Sequence, residues 1–235
     1  ASSVGALPSD GKPRVNPSLF IATPAYHGSV TSQFTVALLG ELGSLHNAGI
    51  AAGWTHIDDS AIDRCRNRLV TAFMMSDASH MLFWDADNVP TKPGWVAELL
   101  KSGHDVVGGA VVQKDGSGKC YAMQIVTDKS REVEVKSGCV RGWSLGTGFM
   151  LISRSAIERL MAAHMDQWYV RPEGVEWNLF CGSVHGRVHF AEDYEFCHKW
   201  RELGEFPYIL PDNDFVHVGL KAYTGSFKES VLSAT

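Results

Sequence analysis

His80-Met81-Leu82-Phe83-Trp84-Asp85-Ala86-Asp87 decides the reading of this chain. Met81 to Trp84 are four consecutive large apolar residues, which suits a strand covered on both faces. The run stops at two carboxylates that flank one small residue. Hard divalent cations take oxygen ligands, and magnesium or manganese sites commonly combine one or two carboxylates with substrate phosphates. Asp85 and Asp87 are therefore candidate metal ligands, with Ala86 between them. Other readings compete. A calcium loop would want glycine where Pro90 stands and glutamate where Val96 stands. An aspartyl nucleophile of the phosphatase kind would continue into Gly-Thr, whereas Asn88-Val89 follows. A solvated acidic turn needs only the same tripeptide.

Outward from this stretch, strands alternate with helices. Ser18 to Thr23 is a short apolar run ending at Pro24, which predicts a buried strand and then a loop. Val30, Phe34, Leu38, Leu42 and Leu45 recur at helical spacing, ending near Asn47 and Gly49. Residues 50–57 predict a second strand. Residues 62–75 predict a helix with Leu69 and Phe73 on one face and Arg64 and Arg68 on another. After the quoted strand come a short helix over 95–101 and a fourth strand over 105–112. This order predicts an α/β fold with a Rossmann-like, mostly parallel central sheet flanked by helices. Ligands in such sheets bind beyond the carboxyl ends of the strands. That rule gathers Thr23, Pro24, Ala25, Tyr26, Asp58, Asp59 and Asp85 to Asp87 on one edge.

The second half reads as a smaller, mixed or antiparallel part. Residues 115–118 predict a turn between extended stretches. Gly146-Thr147-Gly148 leads into the apolar run Phe149 to Ile152. Ser155 with Glu158 has the capping-box spacing ahead of a helix. Residues 192–203 predict another helix, stopped by Gly204.

The bulk properties narrow the function. The chain has 235 residues and a formal net charge of −5, so no overall positive field gathers nucleic acid, and nucleic acid is not an expected partner. Cys65, Cys120, Cys139, Cys181 and Cys197 are odd in number and lack C-x-x-C spacing, which points to reduced thiols rather than a disulfide framework. No run is long and apolar enough to span a bilayer. Residues 1–17 are rich in Ser, Pro and Gly and read as a flexible leader to one domain over 18–235. A cytoplasmic location is the simplest expectation; a membrane-associated enzyme, or a luminal domain cut from its anchor, would read the same.

The strand-end residues suit a nucleotide. Tyr26 can stack on a base, and Thr23 with nearby backbone groups can bond its edge. Asp58 or Asp59 can accept from a base N–H or a ribose hydroxyl, or cap the next helix, a task Ser60 can also perform. Arg64, Arg66 and Asn67 stand near that helix's start, where arginine can pair with phosphate oxygens.

The ordered set FIATPAY (20–26), DRCRNRLV (63–70) and MLFWDAD (81–87) resembles the nucleotide-binding half of GT-A glycosyltransferases, especially compact family-2-like enzymes of viruses and bacteria. The resemblance covers roughly residues 18–114, leaving 115–235 as the acceptor-side half. It implies a nucleoside diphosphate sugar bound across the strand ends and a D-x-D motif holding Mn2+ or Mg2+ against the pyrophosphate, with UDP-sugar the preferred donor. Glu192-Asp193 resembles the acidic pair facing the acceptor, where Asp193, or else Glu192, would be the general base of an inverting enzyme. Its helix N-terminal position is expected to keep Asp193 ionised. Glu195, outside the pair, reads as a solvated helix face. His217 resembles the late histidine that completes the metal site, and Lys221 and Tyr223 would belong to a loop closing on phosphate. Gly146, Thr147 and Gly148 resemble the small-residue strand entry beneath the donor sugar, and Trp143 is a candidate sugar platform. His185 and His189 have metal-like spacing but lack the glutamate of a zinc-protease helix.

The function these residues imply is metal-dependent transfer of a sugar from a nucleotide sugar to a hydroxyl of a glycan or other acceptor, with inversion favoured over retention. Two rivals stand beside it. A nucleotidyltransferase would carry a glycine-rich basic loop after the first strand, where residues 20–29 hold one glycine and no Lys or Arg. A noncatalytic sugar-binding domain could share the fold.

Overall fold

A computed structural model describes residues 17–127, 132–219 and 222–228. The first half runs β1 (Ser18–Pro24), α1 (Ser32–Asn47), β2 (Ala51–Ile57), α2 (Ile62–Met74), β3 (His80–Trp84), β4 (Asn88–Pro90), α3 (Trp95–Ser102) and β5 (Val106–Gly109). Next come β6 (Met123–Ile125), β7 (Val135–Lys136), β8 (Cys139–Leu145), β9 (Phe149–Ser153) and α4 (Arg154–Ala163). The remainder is β10 (Trp168–Arg171), β11 (Gly174–Trp177), β12 (Ser183–His185), β13 (Val188–Phe190), α5 (Glu192–Glu202), β14 (Tyr208–Leu210), β15 (Phe215–Val218) and β16 (Ala222–Gly225).

The expected α/β class and the mostly parallel sheet are both present. The central sheet has nine strands in the order β2-β1-β3-β9-β5-β14-β8-β6, with β7 also on β8. Only β9 and β8 run against the rest. The smaller antiparallel part consists of the hairpins β10–β11 and β12–β13 and the three-stranded sheet β16-β15-β4. Short β4 had no sequence signal of its own; it forms because β15 pairs with it, His217 opposite Asn88.

Two-residue alternation explains how one sheet feeds two cores. Met81 and Phe83 of β3, with Met150 and Ile152 of β9, pack against α2, α4 and α5 through Leu69, Phe73, Ile157, Phe196 and Trp200. Leu82 and Trp84, with Phe149 and Leu151, face the other way against Phe34, Leu38 and Leu45 of α1 and Val96 and Leu99 of α3. Each such large side chain contributes roughly 1.5–3 kcal/mol on leaving water. Buried Glu41 ties α1 to α3, since its carboxylate accepts from the Gly94 and Val96 amides at 2.6 and 2.8 Å.

One helix start differs from the sequence expectation. Ser155 and Glu158 do not form a capping box. Helix α4 begins at Arg154, and Ser153 caps it, its hydroxyl accepting from the Ala156 amide at 3.0 Å. Ser153 also ends β9, so strand and helix join without a loop and the cap falls two residues earlier. All five cysteines are free thiols. No described helix is long and apolar enough to cross a membrane.

Close backbone approach at the sheet centre generates a stability test. A Cβ on Gly108 would lie 2.2 Å from the Phe149 carbonyl oxygen and 2.9 Å from Leu145 Cδ2. Backbone of a paired strand cannot give way as a side-chain tip can. Gly108→Ala is expected to destabilise the fold by roughly 1–3 kcal/mol, read as a lower urea midpoint at unchanged slope.

Candidate active site

The acidic turn after β3 is fastened on all sides. The Asp85 amide donates to the Gly148 carbonyl and the Asn88 amide to the Asp85 carbonyl, each at 3.0 Å. Trp84 Nε1 donates to Asn88 O at 2.7 Å, and Asn88 Nδ2 to Gly148 O at 3.2 Å. The Val218 amide donates to Asp87 O at 2.7 Å, and the Thr31 hydroxyl to Ala86 O at 3.3 Å. With the main chain so occupied, the two carboxylates are what the turn presents to side chains from other elements. Gly148 must be small, because a Cβ there would meet Asn88 Nδ2 at 2.3 Å.

Arg66 on α2 joins this turn to the second acidic pair. Its Nη1 and Nη2 donate to the two Asp85 oxygens at 3.2 and 3.4 Å, and its Nε donates to Glu192 Oε1 at 3.2 Å. Its side chain is only 5% exposed. Burial works against the guanidinium, yet Asp85 and Glu192 together hold its pKa above the usual value. Arg66 was expected to serve phosphate directly. Its donors toward Asp85 and Glu192 are already committed, so it orients carboxylates instead.

Asp193 stands beside that pair. Its Oδ1 accepts from the Tyr194 amide at 2.8 Å, and its Oδ2 lies 3.4 Å from where a Gly146 Cβ would be. Burial first, and the Glu192 charge second, push its pKa up to about 6, against the opposing pull of Arg66. The helix terminus was expected to keep it ionised; with desolvation outweighing the macrodipole, it is mostly ionised at neutral pH but takes up a proton more readily than an ordinary carboxylate. Thr147 is fully enclosed nearby, its hydroxyl oxygen without a hydrogen-bond partner among the described residues.

On the other side of the turn stand Asp87, His217 and Lys114. His217 Nδ1 lies 2.7 Å from the Val112 carbonyl oxygen, which can only accept, so Nδ1 carries the proton. Nε2 is then the nitrogen facing Asp87 Oδ2, at 3.4 Å. Lys114 Nζ reaches the same Oδ2 at 2.6 Å. Burial would raise the Asp87 pKa, but its polar neighbours, the Lys114 ammonium among them, outweigh it and hold the carboxyl below its ordinary value.

The nucleotide-side residues divide. Pro24, Tyr26, Thr31, Asp85 and Asp87 line a cleft of about 460 Å³ at the strand ends. Tyr26 is 61% exposed, its ring against His27. Asp58 is exposed and faces the turn at Gly28. Ala25 is buried, its amide on the Ile57 carbonyl. Thr23 is also buried and its hydroxyl accepts from Trp54 Nε1 at 2.9 Å, so its side chain supports the cleft from below rather than reading a base edge. Asn67 is buried and holds both the Phe180 amide and carbonyl, fixing the 178–180 loop. Arg64 is engaged with Asp59, which also accepts from Arg68 and from the Ala61 amide. Asp59 thereby serves the start of α2, and the Arg64 donors are not aimed at the acidic turn. A larger cavity, about 560 Å³, lies between α1 and the β4–α3 loop. It is mainly apolar and away from the converging charges, so the smaller cleft is the candidate site.

The acceptor-side expectations fare unevenly. Trp143 is exposed, but the Arg201 guanidinium covers one face of its ring, 4.1 Å from the centroid. Glu195 is not solvated as expected: it is buried, with Ser183 on its carboxylate and His185 Nε2 at 2.8 Å. The β12–β13 hairpin folds back on α5 and covers that face of the helix. The His185 to His189 spacing belongs to this hairpin, with Gly186 and Arg187 both at positive φ in its two-residue turn. Lys221 lies outside the described residues, as does any side-chain statement for Tyr223, whose backbone is in β16. Asn88 and Lys114 escaped the sequence reading. Both follow strand ends on the ligand-binding edge, and extending that rule to the end of the fourth strand would have included Lys114.

No family model and no curated protein matches the sequence. Solved structures do resemble it. The crystal structure of A197 from STIV is 20% identical and covers 86% of each chain with a TM-score of 0.50, a likeness of fold. Weaker likenesses run to a glycosyltransferase involved in glycosylation of the major capsid of PBCV-1 and to a UDP-glucose pyrophosphorylase complexed with UDP-glucose. The first is 10% identical over 64% of this chain and 68% of that one, TM-score 0.33. The second is 6% identical over 86% and 93%, TM-score 0.45.

Arg66 offers the sharpest test of the site's construction. Removing it leaves Asp85 and Glu192 close together without their cation. Arg66→Met is expected to cost about 3 kcal/mol of stability, measured by chemical denaturation. Arg66→Lys should recover only part, because one ammonium cannot reproduce the forked contacts.

Proposed function

We propose that this chain is a GT-A-type glycosyltransferase that moves a sugar from a nucleoside diphosphate sugar, with UDP-sugar preferred, to a hydroxyl of a saccharide or other acceptor. One observation carries the reading. Arg66 holds Asp85 and Glu192 on one cation, so the acidic turn of the nucleotide cleft and the acidic start of α5 face a single site.

The residues present fit a divalent cation. Among the described residues no group of three or more His, Cys, Asp or Glu is placed to hold a metal ion, so an ion here would need substrate phosphates and water for its remaining ligands. Asp87 Oδ2 and His217 Nε2 are a convergent oxygen and nitrogen, and the Val112 carbonyl fixes the histidine tautomer that leaves Nε2 available. Asp87 and His217 would hold the ion directly. Asp85, turned toward Arg66, would act at its edge. An imidazole ligand favours Mn2+ over Mg2+. When bound, the ion supplies Lewis-acid stabilisation of the departing diphosphate.

The chain's own groups do the rest. Tyr26 and Pro24 flank the base end of the cleft. Asp193 would take the proton of the acceptor hydroxyl as its oxygen bonds the anomeric carbon and the bond to the diphosphate breaks on the opposite face, the single displacement that inverts the centre. A carboxylate with a pKa near 6 is mostly ionised at neutral pH and is a stronger base than an ordinary one. Gly146 is glycine because of close packing beside Asp193: a Cβ there would lie 2.9 Å from Ala122 and 3.4 Å from Asp193 Oδ2.

Two outcomes are expected. Asp87→Ala should abolish both transfer and donor hydrolysis while leaving the circular dichroism spectrum intact; full activity in that variant, or in excess chelator, contradicts the metal role. Asp193 must lose its proton to act, so kcat/KM should fall as pH drops below about 6 and level off above it. Asp193→Asn should lower turnover by about 10²-fold or more with donor affinity nearly unchanged, and should remove that acid limb.

A further inference from the structure

We propose that Lys114 is a surrogate cation. It neutralises Asp87 in the free enzyme, and it passes to the donor's diphosphate when a divalent ion takes its place, so that ion and nucleotide bind as a coupled pair. This rests on Asp87 as a metal ligand.

The two carboxylates of the acidic turn are compensated in different ways. Asp85 is paired with Arg66, whose side chain is 5% exposed and is held from its other side by Glu192. That cation cannot leave without stranding two carboxylates. Asp87 is paired with Lys114, and these side chains are 37% and 36% exposed. A solvent-exposed ion pair of this kind is weak and is readily exchanged.

The contested atom is a single oxygen. Lys114 Nζ sits 2.6 Å from Asp87 Oδ2, the same oxygen that faces His217 Nε2 at 3.4 Å. Oδ2 is the Asp87 oxygen that faces His217 Nε2, and an ammonium in contact with it repels an ion placed between the two side chains. Lys114 therefore has to move. Its backbone stays in place, because Val112 bridges Tyr121 and the Gln113 amide donates to the Cys120 carbonyl at 2.8 Å. Only the side chain can swing. The neighbouring carboxylate, Asp115, is already engaged with the amide and hydroxyl of Ser117. The anion that arrives with the ion is the diphosphate, and a lysine ammonium is a flexible phosphate partner. Val112 serves both groups: its carbonyl sets the His217 tautomer, and two residues later the chain presents Lys114.

Calorimetric titration of the intact chain tests this with Mn2+ alone, and with UDP at saturating Mn2+. Lys114→Met is expected to bind Mn2+ alone about tenfold more tightly, since a repelling charge is gone. The same variant should bind UDP about tenfold more weakly in saturating Mn2+. Lys114→Arg should keep UDP affinity near that of the parent. Unchanged affinities in Lys114→Met, or weaker Mn2+ binding, would overturn the proposal; Lys114→Gln is read by the same criteria if the Met variant does not fold. Asp87→Asn separates the two layers. Loss of Mn2+-dependent UDP binding in Asp87→Asn, with Lys114→Met unchanged, removes the role of Lys114 and leaves the metal site standing. Retention of that binding in Asp87→Asn overturns both.

Discussion

A buried guanidinium between two carboxylates is the constraint on which this site depends. Arg66 lies in α2, Asp85 after β3 and Glu192 at the start of α5, so one cation joins segments up to 126 residues apart. None of the three could be placed there alone. A lone buried arginine would carry an uncompensated charge, and two unpaired carboxylates would repel each other. Phe83 supports the arrangement from below, 5.5 Å from the guanidinium carbon. The cost of desolvating these charges is offset only while all three are present. That makes the turn after β3 and the start of α5 a single mechanical unit.

The same cluster sets the character of Asp193. It shares a helix start with Glu192, and Arg66 attends to Glu192 before it attends to Asp193. Burial then dominates, and the Asp193 carboxyl titrates near 6 instead of below 4. Pairs of carboxylates whose surroundings separate their affinities for protons are a recurring way to obtain a base that works at neutral pH. Here burial raises the Asp193 pKa, the Glu192 charge adds to it and Arg66 opposes both.

The frame of the molecule was legible because its signals are local. Apolar strands such as 81–84 and the helical spacing of Phe34, Leu38 and Leu45 mark elements without knowledge of their neighbours. The strand-end rule then put Tyr26, Asp85 and Asp87 at one edge, and Pro24, Tyr26 and the acidic turn do line one cleft. The sequence was silent on partnership. Arg64 and Arg66 look alike on paper, yet one pairs with Asp59 near the surface and the other sits under the site. Thr23 reads as a base contact until Trp54 occupies its hydroxyl. Glu195 reads as solvated until the β12–β13 hairpin folds over it. Each of these depends on a residue distant in sequence, and no local pattern encodes it. Lys114 is the same lesson reversed: an ordinary lysine on a turn becomes informative only when Asp87 is found 2.6 Å away.

The central claim is that Asp87 and His217 grip a divalent ion which the nucleotide's diphosphate completes. Anomalous diffraction at the manganese edge, from crystals grown with Mn2+ and UDP, tests it most directly. The account predicts one strong peak between Asp87 Oδ2 and His217 Nε2, with the diphosphate on the ion and the base beside Tyr26. A peak elsewhere, or UDP bound with the carboxylates of Asp85 and Asp87 turned into bulk water, would contradict it.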